Sequence, residues 1–236
     1  MDTEVQAAVG QRAGTEPPCA DGAHIQRHDG YVYAAVCDGA GHAPDTVAYA
    51  NLAPAVITHT SAVVGGLAAM ITAGQMAHAY DTPPHVSAVT ARMAPDGRTW
   101  LYWIGDCRAY GWDGQRLAQH TTDQTLGEFL RLNGGVPEDI ARRHDNWFRL
   151  GLWQATSATV MEGAIPAETG LVLLTTDGIH DQIPHGEMER LATEHEGDPQ
   201  ALADALTAAA PEDDGGYRDD ATVIVLRRHT PKENRP

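Results

Sequence analysis

The sequence predicts an α+β layered fold. Apolar segments rich in β-forming residues lie towards both ends of the chain, at 31–37 and 221–226, with alanine-rich segments typical of helices between them. Strands and helices do not alternate regularly, as they would in a parallel βαβ sheet. The chain has 236 residues, of which 42% are hydrophobic and 20% charged, so we expect a single globular domain over 1–236, with frayed termini at 1–10 and 230–236.

The first half of the chain supplies a buried strand, a helical region and a hairpin. The segment YVYAAVC at 31–37 has almost no polar groups, which is typical of a strand buried on both faces. The alanine-rich region at 44–79 contains a glycine pair at 65–66, which predicts two helices rather than one. Two β-type segments, at 86–93 and 99–104, flank a Pro-Asp-Gly turn and predict a hairpin.

The second half is predicted to contain another hairpin, two more strands and three helices. The hairpin pairs 109–112 with 116–118 across an Asp-Gly turn. The mixed region at 123–170 is interpreted as a flap or insertion. The other predicted strands are 171–175 and 221–226, and the predicted helices are 126–132, 186–194 and 199–210.

Composition excludes several classes of partner and site. The formal charge of −16 disfavours binding to nucleic acid or to an anionic membrane, since both need basic patches. Cys19, Cys37 and Cys107 form no CxxC pair, so we expect small buried side chains rather than a disulfide framework. No signal-peptide pattern opens the chain, and the weakly polar run at 47–76 is interrupted by polar residues. We therefore expect a cytoplasmic protein.

Aspartates stand at the ends of four strongly apolar strands. They are Asp38, Asp106, Asp177 and the pair Asp219-Asp220. A single loop aspartate is commonly a turn former or a helix cap, but a set of buried carboxylates is costly unless they are paired or bind a cation. Few basic residues lie nearby, and oxygen ligands without His or Cys favour Mg²⁺ or Mn²⁺. The glycine after Asp38 would let the backbone approach such an ion.

Five motifs containing these aspartates occur in a characteristic order. They are DGAGH at 38–42, GDCRAY at 105–110, TDQT at 122–125, TDGIHD at 176–181 and DDAT at 219–222. In this order, over about residues 21–226, the chain resembles the PPM-type (type 2C) metal-dependent protein serine/threonine phosphatases. The resemblance implies a four-layer α-β-β-α sandwich, in which two antiparallel sheets pack face to face with helix pairs outside and the metals lie in a cleft at one end.

The same resemblance implies a hydrolase of phosphoserine and phosphothreonine in proteins. A water or hydroxide bridging two divalent cations, Mn²⁺ or Mg²⁺, would attack phosphorus, and the enzyme would act in signalling by opposing a serine/threonine kinase. We expect a monomer. Asp38, Asp177 and Asp219 are the implied catalytic residues. The implied metal ligands are Asp21, Asp38, the Gly39 carbonyl, Asp177 and Asp219, with Asp106 at a third, weaker ion.

The first motif departs from the family pattern. The family has Arg-x-x-Asn-x-Asp, with the arginine on the substrate phosphate, whereas this chain reads EPPCAD at 16–21. Glu16 would repel a phosphate, so another base such as Arg12 or Arg27 is the expected substrate ligand.

His42 and His180 each lie beside an aspartate of the motifs, so either could act as a general acid, or each could be a surface or structural histidine. His42 is also a candidate substrate ligand. Two other functions stay open: a regulatory pseudophosphatase, which the Glu16 departure favours, and a phosphatase of small metabolites.

Overall fold

Two five-stranded antiparallel sheets form the centre of the molecule, a computed structural model that describes residues 5–228. Within this range the strands are β1 (Val5–Arg12), β2 (Asp21–His28), β3 (Tyr31–Gly39), β4 (Val86–Met93), β5 (Thr99–Ile104), β6 (Arg108–Trp112), β7 (Leu117–Gln119), β8 (Met161–Ile165), β9 (Leu171–Thr175) and β10 (Ala221–Arg228). One sheet, sheet A, has the order β1-β10-β9-β6-β7, and sheet B has the order β2-β3-β4-β5-β8.

Helices cover the outer faces of both sheets. The helices of the described residues are α1 (Pro44–Val64), α2 (Gly66–Met76), α3 (Leu126–Asn133), α4 (Glu138–Arg142), α5 (Asp177–His180), α6 (His185–His195) and α7 (Pro199–Ala209), with 3₁₀ turns at Ala77–Ala79 and Leu152–Gln154. α1 and α2 pack on sheet B, while α6 and α7 pack on sheet A. The predicted four-layer α-β-β-α sandwich is confirmed.

The main core lies between the two sheets. Val36 and Val89 of sheet B pack there against Leu174 and Ile224 of sheet A, and all four side chains are fully buried. The two outer cores lie between each sheet and its helix pair. The central strands β3, β9 and β10 are therefore buried on both faces, which explains their almost unbroken apolar sequences.

The α1–α2 break occurs at the predicted glycine pair. Gly65 has φ of +91°, a conformation that favours glycine, and a Cβ on Gly66 would collide with the ring of Tyr102. By length and composition alone α1 could cross a membrane. Its inner residues, such as Tyr49 and Ile57, instead pack fully buried against sheet B.

The N-terminal prediction was wrong for residues 5–10. Val5–Arg12 forms β1, which pairs antiparallel with β10 from Val5↔Arg228 to Arg12↔Ala221. The predicted frayed segments at 1–4 and 230–236 lie outside the described residues. The region 123–170 holds α3, α4, a 3₁₀ turn and β8, of which only α3 was predicted.

Candidate active site

The aspartates singled out in the sequence meet at one end of the sandwich. Asp21 and Asp38 are direct partners on β2 and β3, Asp177 begins α5 directly after β9, and Asp219 precedes β10. All four line one cleft of about 190 Å³ together with Gly39. Asp106 instead lines a neighbouring cavity of about 660 Å³. Five of the six predicted metal ligands therefore share a single cleft.

Burial and mutual repulsion make these carboxyl groups weak acids. Burial raises the pKa of Asp21 and of Asp38 well above the ordinary range, and neighbouring carboxylates add to the effect. Burial, with the charges of Asp106 and Asp219, raises the pKa of Asp177 to about 8. Burial likewise raises the pKa of Asp106 to about 7. The negative charge of Asp177 is the largest of the neighbouring contributions that raise the pKa of Asp38, so the two carboxylates destabilise each other's charged form.

The donor set fits hard divalent cations. The Oδ2 atom of Asp38 and the Oδ1 atom of Asp106 are buried and have no hydrogen-bond partner, a costly state that a cation would relieve. Among the described residues that line the cleft, His42 is the one basic side chain. Between residues 5 and 228, no three His, Cys, Asp or Glu side chains already stand in an arrangement that would hold an ion.

Hydrogen bonds from distant segments hold the walls of the cleft. The carboxylate of Asp220 accepts from the backbone N–H of Gly14 at 2.6 Å and of Ala20 at 2.7 Å. Thr176 donates its hydroxyl to Asp21 Oδ2 at 2.8 Å. A Cβ on Gly39 would lie 2.8 Å from the carbonyl oxygen of Ala20, so only glycine fits there. The backbone around Asp21 and Asp38 is thus fixed independently of any ligand.

The two candidate histidines occupy different environments. His42 lies in the cleft, with Nδ1 3.7 Å from Glu16 Oε2 and Nε2 3.5 Å from Asp220 Oδ2. His180 is buried, with Nδ1 2.8 Å from Thr175 Oγ1, and its burial lowers its pKa well below the usual value. His180 is therefore a neutral structural residue, whereas His42 can reach a molecule in the cleft.

Neither arginine proposed as a phosphate ligand reaches the cleft. Arg12 donates to the carbonyl oxygens of Thr207, Ala208 and Ala210 at the end of α7. Arg27 donates to the carbonyl of Val5 at 2.7 Å. The long side chains instead satisfy backbone acceptors at sheet edges and a helix end. The assignment of Arg12 to substrate binding is therefore corrected.

Two further residues of the cleft, Phe148 and Tyr217, were not expected from the sequence, whereas Asp220 belongs to the predicted aspartate pair. Asp220 fixes the loop as described, and Phe148 and Tyr217 contribute aromatic side chains to the lining. Burial and the charge of the neighbouring Asp219 carboxylate raise the pKa of the Tyr217 phenol. Its position two residues before Asp219 is a usable sequence signal. Phe148 carries no such signal, because the loop that brings it to the cleft has no recognisable pattern.

The fold and the acidic cleft define the class: this is the fold of the PPM serine/threonine phosphatases. A serine/threonine phosphatase from S. agalactiae superposes with a TM-score of 0.83 at 15% identity, covering 95% of this chain and 100% of the other. A PPM Ser-Thr phosphatase from Mycobacterium smegmatis gives 0.73 at 19% identity, covering 94% and 97%.

Sequence comparison gives the family. Residues 28–229 match the family model of Stage II sporulation protein E (SpoIIE), and the chain belongs to this family. A probable protein phosphatase 2C of Arabidopsis thaliana is 27% identical across a region that covers 60% of this chain and 54% of that protein. The chain thus spans about half the length of this curated relative.

Proposed function

We propose that this chain is a metal-dependent phosphatase that hydrolyses phosphoserine and phosphothreonine in proteins. The observation that carries the proposal is the convergence of buried, mutually repelling carboxylates in a cleft that no lysine or arginine of the described residues lines. Such a cluster needs a cationic partner. The family match and the phosphatase names of the structural relatives support the same reaction.

Two divalent cations, Mn²⁺ or Mg²⁺, would be held by the oxygen donors of the cleft. Asp38, the Gly39 carbonyl, Asp177 and Asp219 would be the ligands, Asp21 would complete the set beside Asp38, and Asp106 would hold a third ion. When bound, these ions supply the positive charge that activates water and screens the phosphoryl oxygens.

The protein itself contributes a rigid wall and a proton donor. The hydrogen bonds of Asp220 and Thr176 fix the backbone on both sides of the cleft. His42, held between Glu16 and Asp220, can deliver a proton to the leaving serine or threonine oxygen. Because that oxygen departs as an alcohol, a proton donor at this position favours bond cleavage.

The size of the cleft supports a protein substrate. Its volume of about 190 Å³ is below the roughly 300–1,000 Å³ of typical small-molecule pockets. Such a cleft suits the phosphoryl end of a side chain on a larger molecule. We propose a cytoplasmic monomer that opposes a serine/threonine kinase. The family match and the structural relatives favour neither a regulatory pseudophosphatase nor a metabolite phosphatase.

Manganese-dependent hydrolysis tests the proposal directly. The wild type should hydrolyse p-nitrophenyl phosphate and a phosphoserine peptide only when Mn²⁺ is present, and Asp38→Asn should abolish both activities. Asp139→Asn, at an exposed position on α4, is the matched control and should leave turnover unchanged. Manganese should also raise the unfolding temperature of the wild type but not of Asp38→Asn.

Four results would contradict parts of the proposal. Metal-independent turnover would exclude the metal mechanism, and full activity of Asp38→Asn would exclude this cleft. A wild type that binds Mn²⁺ without hydrolysing any phosphate would be a pseudophosphatase. Preference for a small phosphorylated metabolite over the phosphopeptide would reassign the substrate.

A further inference from the structure

A second cavity lies on the outer face of sheet B, away from the candidate active site. It has a volume of about 150 Å³ and lies where the α1–α2 junction at Gly65 and Gly66 meets β4 and β5. Its residue Arg92 lies five positions along β4 from Ser87, the strand partner of Asp38. At about 3.4 Å per residue this is roughly 17 Å from the level of the acidic cleft. The cavity is therefore a separate site.

An arginine without a carboxylate partner lines this cavity. The guanidinium carbon of Arg92 lies 4.1 Å from the ring centroid of Tyr31 and 4.9 Å from that of Trp100. Its Nε atom is buried without a hydrogen-bond partner. Across residues 5–228, no Asp or Glu forms an ion pair with it. Stacking between two rings fixes the guanidinium plane while leaving its N–H edge free for an anion.

A buried hydroxyl on the other wall also lacks a partner. Ser61, in the last turn of α1, lines the cavity and is only 7% exposed, and its Oγ atom makes no hydrogen bond. Buried polar atoms in folded proteins are nearly always hydrogen-bonded. The Nε–H of Arg92 can only donate, and the hydroxyl of Ser61 can donate as well as accept, so one acceptor group in this cavity would satisfy both.

The charge and the walls of the cavity define the acceptor further. Arg92 is the one charged residue among the described residues of the lining, so it balances a monoanion, whereas a dianion such as phosphate would bring a second, unpaired negative charge. A planar carboxylate matches the guanidinium fork. Trp100 and Tyr102 provide aromatic walls for an apolar body. We propose that this cavity, the Arg92 pocket, binds a small carboxylic acid with an aromatic or aliphatic body, a binding site that goes beyond the proposed hydrolysis.

Titration of the full chain with sodium benzoate tests the pocket. The ¹H–¹⁵N resonance of the Arg92 side-chain Nε–H should shift saturably, whereas benzamide, the neutral isostere, and inorganic phosphate should leave it in place. By calorimetry, Arg92→Gln should weaken benzoate binding at least about tenfold and Ser61→Ala about threefold, because each removes a donor to the carboxylate.

A neighbouring arginine supplies the matched control. The Arg98 guanidinium also lies over Trp100, at 5.7 Å, but it is paired with Asp96 at 3.2 Å. Arg98→Gln should therefore bind benzoate within about twofold of the wild type. Circular dichroism should show that all three variants fold. If Arg92→Gln does not fold, the shift of the Arg92 Nε–H resonance in the wild type still tests whether benzoate binds in this pocket.

Several outcomes would overturn the inference. An unmoved Arg92 resonance at saturating benzoate would make the stacked arginine purely structural. Equal shifts with benzamide would remove the role of charge, and tighter binding of phosphate would remove the preference for a carboxylate. If the peptide acetyl-Ala-Glu-Ala-amide binds about tenfold more tightly than benzoate, the pocket receives an acidic side chain of a protein and the small-acid assignment is wrong.

Discussion

Replacing Glu16 by arginine should increase the catalytic efficiency of manganese-dependent phosphate hydrolysis. Glu16 lines the cleft beside Asp38, Asp177 and Asp219. The N–H of the preceding residue, Thr15, donates to the carbonyl of Arg218 at 2.9 Å, which holds the backbone next to Glu16 in place. An arginine there would remove a repelling carboxylate and offer two N–H groups to the substrate phosphate.

The size of the gain depends on solvent exposure. A hydrogen bond to a charged group contributes about 1.5–3 kcal/mol in a protein interior. The Glu16 side chain is 68% exposed, so screening by water should reduce the contribution to about 1–2 kcal/mol. At about 1.36 kcal/mol per factor of ten, kcat/KM should rise roughly 5- to 30-fold.

Steady-state kinetics with p-nitrophenyl phosphate and Mn²⁺ measure this effect. Glu16→Gln is the control, because it removes the negative charge and the contact with His42 without adding a guanidinium. The gain should appear mainly as a lower KM if the arginine holds the ground state and the transition state equally. If Glu16→Arg is no better than Glu16→Gln, the clamp reasoning is refuted.

Three further predictions concern stability. The metal-free protein should lose stability as pH rises from about 4 to about 8. The folded-state pKa values of Asp106 (about 7) and Asp177 (about 8) lie above the unfolded value of 3.8, so the folded chain binds more protons than the unfolded chain over this range. Urea unfolding in the presence of EDTA should show this loss, and excess Mn²⁺ should reduce it. Asp38→Asn should raise metal-free stability at pH 8 by about 1 kcal/mol or more, since it removes a buried charge; a lower unfolding midpoint would contradict this. Ser87→Ala should lower the free energy of unfolding by about 2–4 kcal/mol, because Ser87 Oγ accepts from the buried N–H groups of Asp106 and Cys107 at 3.0 and 2.7 Å. The control Ser157→Ala, at an exposed position, should change the free energy of unfolding by less than about 0.5 kcal/mol.

Strands buried on both faces could be predicted from the sequence, as could the short edge strand β7, whereas the edge strands β1, β2 and β8 could not. β3 and β10 are unbroken apolar runs because both faces meet a core. β1 and β2 are edge strands, with sequences that mix polar and apolar residues. The pairing of β1 gives no local signal, because its partner is β10, more than 200 residues away. In contrast, β2 and β3 form a hairpin across Asp29-Gly30, a turn signal that the sequence does contain. When only one sequence is read, the mixed polar and apolar residues of an edge strand with one solvated face cannot be told from those of a loop.

The acidic part of the candidate site was also predictable, but its neighbours were not. Aspartates directly after buried strands must lie at a sheet end, so Asp38 and Asp177 could be placed together. The direction of a long side chain cannot be read in this way. Arg12 lies at the end of β1 and turns to the carbonyls of α7, an outcome that depends on packing between elements far apart in sequence.

The two hydrogen bonds of Asp220 have a consequence for synthesis of the chain on the ribosome. They join residue 220 to Gly14 and Ala20, across 206 and 200 positions. Asp21 and Asp38 therefore emerge long before the segment that completes their surroundings. Contacts of such long sequence separation form slowly. A nascent chain should therefore be unable to bind cations in this cleft until β10 (Ala221–Arg228) has left the exit tunnel.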